Sequence, residues 1–220
     1  KDNPFVVKAT IMNIGIITGG IHPTSIGGAE KQAVELAKAL SEKNNVTVYT
    51  RFNKNNPNFD NFNLEQIKYV NIPLIRYFQV IFGTIIRGRL YSKQSFVNFC
   101  MGTGDIALVG LLMNKIYGMP YIVSIRGENS IDNISYLTKI IFSHSKKIHL
   151  QSRKLATKFN NSFPNHKTFV VPNGISITKS NYSNLSDRYI DVIYVGRLIS
   201  HSRVKNNDKG VRYLIQSVNT

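Results

Sequence analysis

The chain has 220 residues, of which 42% are hydrophobic and 18% are charged, and this balance excludes a disordered chain and favours a globular protein with a core. The single cysteine, Cys100, excludes an internal disulfide and favours a reducing compartment, so we expect a cytoplasmic protein. The net charge is +16, from 28 Lys and Arg against 12 Asp and Glu, and such a positive field favours anionic partners, with general solubility as the alternative interpretation.

Short apolar runs alternate with helix-length segments through the first three quarters of the chain. The predicted strands are residues 13–18, 46–49, 67–72, 105–109, 121–125, 147–150 and 167–171. The predicted helices are a segment that begins at Gly28 and residues 73–90, 111–117, 131–142 and 153–160. This alternation predicts an α/β fold in which one parallel sheet carries helices on both faces, with the first strand at its centre.

The composition changes towards the end of the chain. Residues 175–188 are rich in Ser and Asn and predict a linker. Residues 189–220 supply one more strand and one more helix, which cannot bury a core of their own, so we expect them to begin a second, incomplete domain. Residues 1–11 precede a natural-looking start and are expected to be an N-terminal extension. The first domain is therefore predicted over residues 12–174.

Two glycine pairs bracket a polar loop between the first strand and the first helix, in the stretch TGGIHPTSIGGAE at residues 18–30. A strand, a glycine loop and a helix N-terminus together form an anion site, because exposed N–H groups and the positive end of the helix dipole favour phosphate. The spacing fits neither the dinucleotide-binding pattern GxGxxG nor the P-loop, which requires a closing GK[ST]. A merely flexible connection is the alternative for this loop.

The segment GGAEKQAVELAKAL, which follows MNIGIIT, resembles the opening of the N-terminal domain of family four (group 1) retaining glycosyltransferases with the GT-B fold. Further segments resemble this family in the same order. They are GDIALVG for its Asp-Ile-Val strand, PYIVSIRGEN for a strand ending in a His-Gly or Arg-Gly turn, KKIHLQSRKLATKF for a strand and a Ser-initiated helix, VVPNGI for the start of the linker, and VIYVGRL with KGVRYLIQSV for the first strand and helix of the C-terminal domain. Each segment alone is a weak signal, and their common order carries the resemblance.

The resemblance implies two Rossmann-like domains that face each other across a cleft, with a nucleotide-sugar donor mainly on the C-terminal domain and the acceptor on the N-terminal one. It implies that Gly27 and Gly28 let the first helix approach the donor diphosphate, and that Arg197 and Lys209 clamp this diphosphate. The implied reaction transfers a sugar, with retention, to a lipid-linked or saccharide acceptor. No metal or other cofactor is expected, because Arg and Lys replace the metal and the nucleotide sugar is a co-substrate.

Two residues in the turn SIRGEN are the candidate catalytic residues. Arg126 stands where many relatives have a histidine near the reacting sugar. Arginine stays protonated, so it cannot be a general base, but it can bind a phosphate or a carboxylate of the acceptor. Glu128 is the best remaining carboxylate in the expected cleft, with a solvated loop acid as its alternative. The segment between Arg197 and Lys209 is longer than usual in the family, so Lys205 competes with Lys209 as the phosphate contact.

The predicted helix over residues 73–90 combines apolar side chains with three arginines. Packing on the sheet is one explanation. The other is a partly exposed helix that lies on anionic lipid, which places the protein peripherally on the cytoplasmic face of a membrane. Family members that glycosylate lipid carriers often use such a surface, and the positive charge of the chain supports this interpretation.

Functions of other classes stay open. A pair of glutamates typical of the family's C-terminal domain does not occur before Thr220, so we expect these 220 residues alone to be a truncated and inactive portion of an enzyme. One alternative is a non-catalytic domain that binds an acceptor or a partner protein. Charge alone suggests a nucleic-acid-binding module, but no specific nucleic acid is expected, because zinc-finger spacing and RNA-binding strand motifs are missing.

Overall fold

Parallel strands flanked by helices make up the part of the chain that the computed structural model describes, namely residues 11–25, 27–70, 72–91, 96–132 and 134–174. The strands are β1 (Asn13–Ile17), β2 (Asn45–Arg51), β3 (Asn63–Ile67), β4 (Phe96–Cys100), β5 (Tyr121–Ile125), β6 (Lys147–Leu150) and β7 (Thr168–Val170). The helices are α1 (Gly28–Ser41), α2 (Pro73–Gly88), α3 (Asp105–Tyr117), α4 (Asn129–Asp132), α5 (Tyr136–His144) and α6 (Arg153–Ser162), with a 3₁₀ turn at Arg89–Tyr91 after α2.

The strands form one sheet in the order β3-β2-β1-β4-β5-β6-β7, and every neighbouring pair is parallel. The chain winds from β1 outward to β2 and β3, crosses to the other side of β1 to form β4, and then winds outward to β7. The direction of winding therefore reverses between β1 and β4. At such a reversal the loops that follow the strands diverge and leave a crevice at the carboxyl edge of the sheet.

Helices cover both faces of this sheet, as predicted. On one face, Ala33 and Ala37 of α1 pack with Ile16 of β1 in one buried cluster. On the other face, a larger cluster joins Ile17 to residues of α2, α3, α5 and α6. The neighbours Ile16 and Ile17 point to opposite faces because side chains alternate along a strand, and both are buried because the sheet is covered twice.

The predicted strand at residues 105–109 is wrong, because these residues are the first turns of the continuous helix α3. Gly104, with a φ of +71°, precedes the helix, and Gly118, with a φ of +69°, ends it in the left-handed conformation. An apolar run of this length fits a buried helix as well as a buried strand. The strand beside β1 is instead β4, with the sequence FVNFC, which the prediction missed.

Other elements differ only in their bounds. Strand β3 ends at Ile67 instead of beginning there. The helix predicted over residues 131–142 is divided into α4 and α5, because Ser135 caps α5 by accepting a hydrogen bond from the N–H of Thr138 at 3.2 Å. Strand β1 is internal, one place from the central strand β4, whereas it was predicted at the centre.

The predicted extension, linker and second domain lie outside the described residues, apart from Ile11 and the end of the first domain at Gly174. The predicted diphosphate clamp, Arg197 and Lys209, lies outside them as well, as does Lys205. In the part of the chain that is described, no helix is both long and apolar enough to cross a membrane.

Candidate functional site

The candidate site is the carboxyl edge of the sheet at the reversal between β1 and β4. Three loops meet there, because each follows one of three adjacent strands. The loop after β1 carries the glycine pairs, the loop after β4 begins with Met101, and the turn after β5 carries Arg126 and Glu128. Ligands of open α/β sheets bind at this kind of position.

The glycine loop is held by its own hydrogen bonds and by one buried anchor. Ile21 is 1% exposed and belongs to the same apolar cluster as α1. The N–H of Ser25 donates to the carbonyl of Ile21 at 2.8 Å, the hydroxyl of Thr24 donates to the same carbonyl, and the hydroxyl of Thr18 donates to the carbonyl of Gly20. These contacts favour a shaped loop over a merely flexible connection.

The fold itself does not require the second glycine pair. Gly27, the residue before α1, has extended backbone angles of −179° and 156° that other residues also adopt, and it offers no side-chain cap. A Cβ at Gly28 would meet nothing within 4 Å, and neither glycine has a positive φ. A Cβ at Gly27 would meet only the flexible carboxylate of Glu30. The start of α1 is therefore open beside Gly28, whereas the carboxylate of Glu30 lies beside Gly27.

Arg126 is a partly buried cation that has no carboxylate partner among the described residues. Its Nη2 donates to the thioether sulfur of Met101 at 3.2 Å, and its buried Nε has no hydrogen-bond acceptor in the described part of the chain. A thioether is only a weak acceptor. Burial lowers the pKa of Arg126, and the negative charge of Glu30 opposes this shift without forming an ion pair.

A buried histidine lies beside this cation. His149 of β6 bonds through Nε2 to the carbonyl of Val171 and through Nδ1 to the hydroxyl of Ser124, each at 2.9 Å. A carbonyl only accepts, so Nε2 carries the proton and the Ser124 hydroxyl donates to Nδ1. The pKa of His149 is lowered, chiefly by burial and further by the charge of Arg126, against the raising effect of the bond to Val171. The imidazole is therefore neutral.

Glu128 contacts helix α6, whereas Arg126 contacts Met101 after β4. Its carboxylate oxygens lie 2.9 Å from Nζ of Lys154 and 3.3 Å from Nζ of Lys158, both on α6. Lys158 also binds Asp132 at 2.6 Å, so this cluster joins the turn after β5 to α4 and α6. The hydrogen bonds from Lys154 and then Lys158 lower the pKa of Glu128, which is the opposite of what a general base at neutral pH requires.

The structure therefore brings Gly27, Gly28 and Arg126 to one edge of the sheet and turns Glu128 towards α6. Sequence reasoning missed Glu30, Met101 and His149. Glu30 had a signal, because it is the third residue of α1, where acids often fold back over a helix start. Met101 and His149 had none, since both enter the site only through the pairing of strands distant in sequence.

A cavity of about 520 Å³ opens at the opposite edge of the sheet, away from the glycine loop. Asn114, Lys146, His166 and Lys167 are among the residues that line it. The carboxyl ends of α3 and α5 lie at this edge, and their partial negative charge explains the cations found there. Helix ends do not explain the side chains at the carboxyl edge in this way, so we place the functional site there.

The described domain is α/β with a parallel sheet flanked by helices, and it has the Rossmann-like architecture of GT-B proteins. Among solved structures, it is similar to Anabaena HepE (Alr3699) in complex with UDP and glucose, with a TM-score of 0.52 and 14% identity over 74% of this chain and 45% of that one. A structure of the same protein in complex with UDP gives a TM-score of 0.52 and 14% identity over 75% and 44%.

A second protein with a similar structure is the UDP-GlcNAc 2-epimerase from Methanocaldococcus jannaschii. The TM-score is 0.50 and the identity 18%, over 74% of this chain and 46% of that one. No protein-family model matches the sequence, and no curated protein matches it either. The chain spans less than half the length of these neighbours. At these identities the similarity shows the fold alone.

Because a side chain at Gly28 would meet open space, we expect one substitution there to raise stability and to weaken ligand binding. We expect Gly28→Ala to stabilise the chain by up to about 1 kcal/mol, because alanine restricts the unfolded chain and favours the helix. We expect the same change to weaken the binding of inorganic pyrophosphate, because the new methyl group takes space at the helix start. Urea denaturation and calorimetric titration measure the two effects.

Ser41→Ala, at the far end of α1, is the control and leaves pyrophosphate binding unchanged. A Gly28→Ala variant that binds pyrophosphate as well as the wild type would show that Gly28 has no ligand role.

The neutral His149 predicts a pH dependence of stability. The pKa of an unfolded histidine is about 6.5 and that of His149 is lower, so the unfolded state binds more protons between these two values. His149 therefore does not lower the free energy of unfolding above about pH 6.5. As the pH falls from there towards the folded-state pKa, the free energy of unfolding decreases, because the unfolded state binds the proton more readily. Melting temperatures measured on both sides of pH 6.5 check this, and His149→Gln shows a smaller decrease on acidification.

The control is His144→Gln, which removes an exposed histidine at the end of α5. Equal decreases of the melting temperature in the wild type and in His149→Gln would contradict the lowered pKa of His149.

Proposed function

We propose that this chain forms the acceptor-side part of a glycosyltransferase that transfers a sugar from a nucleotide-sugar donor to a saccharide or lipid-linked acceptor. The observation that carries the proposal is the carboxyl edge at the reversal of the sheet. One loop there leads to a helix start without a side-chain cap and with open space at Gly28, and another carries Arg126, which is partly buried and has no carboxylate partner among the described residues. The structural similarity to HepE, whose structure holds UDP and glucose, supports the kind of ligand.

In the proposed reaction, the acceptor hydroxyl oxygen bonds to the anomeric carbon while the bond from that carbon to the donor phosphate oxygen breaks. The hydroxyl proton passes to the departing phosphate oxygen, on the same face of the sugar, so the configuration is retained. Negative charge grows on the diphosphate, and donors fixed in advance around it lower the barrier. Gly27 and Gly28 supply backbone N–H groups, and Arg197 and Lys209 supply the cations.

No side chain has to act as a base in this scheme, and no metal has to neutralise the diphosphate. We propose that Glu128 contributes by position. Its ion pairs to Lys154 and Lys158 fix the turn after β5, which holds the backbone next to Arg126 in place. The position of this backbone matters because small displacements of groups that bind the substrate lower the reaction rate by large factors.

The proposal is tested with the full-length gene product and radiolabelled UDP- and GDP-sugars, together with a saccharide and lipid extract as acceptor source. We expect release of the nucleoside diphosphate and an equal amount of glycosylated product. Arg197→Ala and Lys209→Ala each lower kcat by about 100-fold or more, the usual effect of losing a transition-state donor. Arg153→Ala, which removes an exposed arginine on α6, is the control with unchanged kcat.

Two results would contradict the proposal. If the nucleotide sugar is converted to its epimer without an acceptor, the chain is part of an epimerase. If neither sugar is consumed while an acceptor saccharide binds, the non-catalytic alternative is correct.

We also propose that α2 lies on an anionic membrane surface. Five apolar side chains spaced four residues apart form an exposed stripe, at 49% to 69% exposure: Leu74, Phe78, Phe82, Ile86 and Leu90. Ile81 and Ile85 on the opposite side are buried against the sheet. The helix contains no acidic residue, and Arg76, Arg87 and, just after the helix, Arg89 accompany the stripe, with Arg87 also bound to Glu65 at 3.3 Å. An apolar stripe with cations at its margin fits lipid with anionic headgroups.

Vesicle cosedimentation tests the membrane proposal, with phosphatidylcholine vesicles that either contain or lack phosphatidylglycerol. We expect the chain to sediment only with the anionic vesicles, and Phe78→Ser combined with Phe82→Ser to abolish this binding. Ile116→Ser, which removes an equally exposed apolar residue of α3, is the control and keeps the binding. Unchanged binding by the double variant would exclude the stripe as the contact, and a concentration-dependent dimer that the double variant loses would assign it to a second copy.

A further inference from the structure

Arg126 is a charged group that the fold holds out of water without a full set of partners. Its guanidinium offers five N–H donors, and the described residues provide one weak acceptor, the sulfur of Met101. The Nε atom is buried and donates to nothing in the described part of the chain. The Nε of Arg51 also lacks an acceptor in the described residues, but the charge of Arg51 is compensated by the carboxylate of Asp105 at 3.1 Å, and Arg126 has no such carboxylate there.

Keeping such a cation costs stability. A buried charge without a partner loses its hydration and gains no equivalent contact. Many groups escape this cost by changing their protonation state, but arginine keeps its proton throughout the pH range of proteins. Burial lowers the pKa of Arg126 and the charge of Glu30 opposes that shift, which leaves the guanidinium charged. A neutral side chain of similar size would fit better if packing were the only requirement.

The surroundings fix the guanidinium without neutralising it. It follows β5 at the carboxyl edge, its Nη2 contacts Met101 at the end of β4, and His149 beside it is neutral. Its charge therefore stays available at the edge where three loops meet. The planar fork of arginine matches the geometry of carboxylates and phosphates, which accept two parallel hydrogen bonds.

We infer that Arg126 binds an oxyanion, a phosphate or a carboxylate, carried by the acceptor, so that the enzyme selects anionic saccharides or saccharide phosphates over neutral sugars. This inference rests on the proposed function for the assignment of this edge to the acceptor. The donor diphosphate has other proposed contacts, namely the start of α1 with Arg197 and Lys209. Arg126 is then a specificity-determining residue.

Calorimetric titration of the 220-residue chain tests the inference with glucose 6-phosphate, glucuronate, glucose and inorganic pyrophosphate as probes. We expect binding of one or both anionic sugars and none of glucose, and the two anionic sugars distinguish a phosphate from a carboxylate site. Arg126→Gln weakens this binding by about 10-fold or more, the scale of a charge-assisted hydrogen bond, whereas Arg126→Lys keeps part of it. Arg153→Gln is the matched control and binds like the wild type.

Thermal unfolding of the same variants separates a binding role from a structural one. We expect Arg126→Met to melt at a higher temperature than the wild type, because it removes an unpaired charge and keeps the side-chain volume. A lower melting temperature of Arg126→Met, or its failure to fold, shows that Arg126 is structural. This result overturns the inference unless Arg126→Lys, which keeps the charge, folds and still binds the anionic sugars in preference to glucose.

Two binding results also overturn it. Equal affinity of wild type and Arg126→Gln for the anionic sugars excludes Arg126 as their contact. Loss of pyrophosphate binding without loss of sugar binding assigns Arg126 to the donor diphosphate. Transfer activity of the full-length gene product is measured separately, so anion binding that depends on Arg126 without transfer would leave the site correct and the proposed function wrong.

Discussion

The reversal of strand order between β1 and β4 is the constraint on which the rest of this structure depends. Parallel strands need crossover helices, and the crossovers on the two sides of this point lead the chain in opposite directions. The loops after β1 and β4 therefore follow neighbouring strand ends but lead to crossovers in opposite directions, and ligands of such sheets bind at this kind of position. Every candidate residue in the described part of the chain reaches the open edge by following one of three adjacent strands.

At this edge, the sequence departs from what stability alone favours. A Ser or Asp before α1 would cap the helix, but the chain has Gly27 there, and Gly28 begins the helix although its Cβ position is empty. A neutral residue would pack more easily than Arg126. The neighbouring α5 and α6 show the usual solution, since Ser135 and Ser152 each accept a hydrogen bond from an N–H of the first turn. Departures concentrated in one place are typical of functional sites.

Much of this fold could be predicted from the sequence, because buried parallel strands and amphipathic helices leave strong local patterns. Helix α1 was predicted from its apolar face, and β5 and β6 from short apolar runs. The predicted strand at residues 105–109 failed for a physical reason. That run is buried on several sides of α3, so it lacks the periodicity that separates a helix from a strand. In β4, Asn98 is fully buried and interrupts the apolar signal.

The site was predictable in part. Glycines before a helix and an arginine after a strand are visible in the sequence, and the sheet brings them together. The separation of Arg126 from Glu128 was not predictable, because it depends on where α6 places Lys154 and Lys158. The proximity of His149 was not predictable either, since strand order decides it. Local patterns therefore gave the elements, whereas the electrostatic environment of each side chain depended on contacts between elements distant in sequence.

The central claim is that the carboxyl edge at the strand reversal is the ligand-binding site of this domain. Amide chemical-shift mapping of the isotope-labelled chain during titration with inorganic pyrophosphate tests it most directly. We predict that the largest shifts occur at Gly27, Gly28 and Gly127, in the loops after β1 and β5. Largest shifts at Asn114, Lys146 and Lys167, around the cavity at the opposite edge, would contradict the claim, and so would shifts spread evenly over the lysines of the surface.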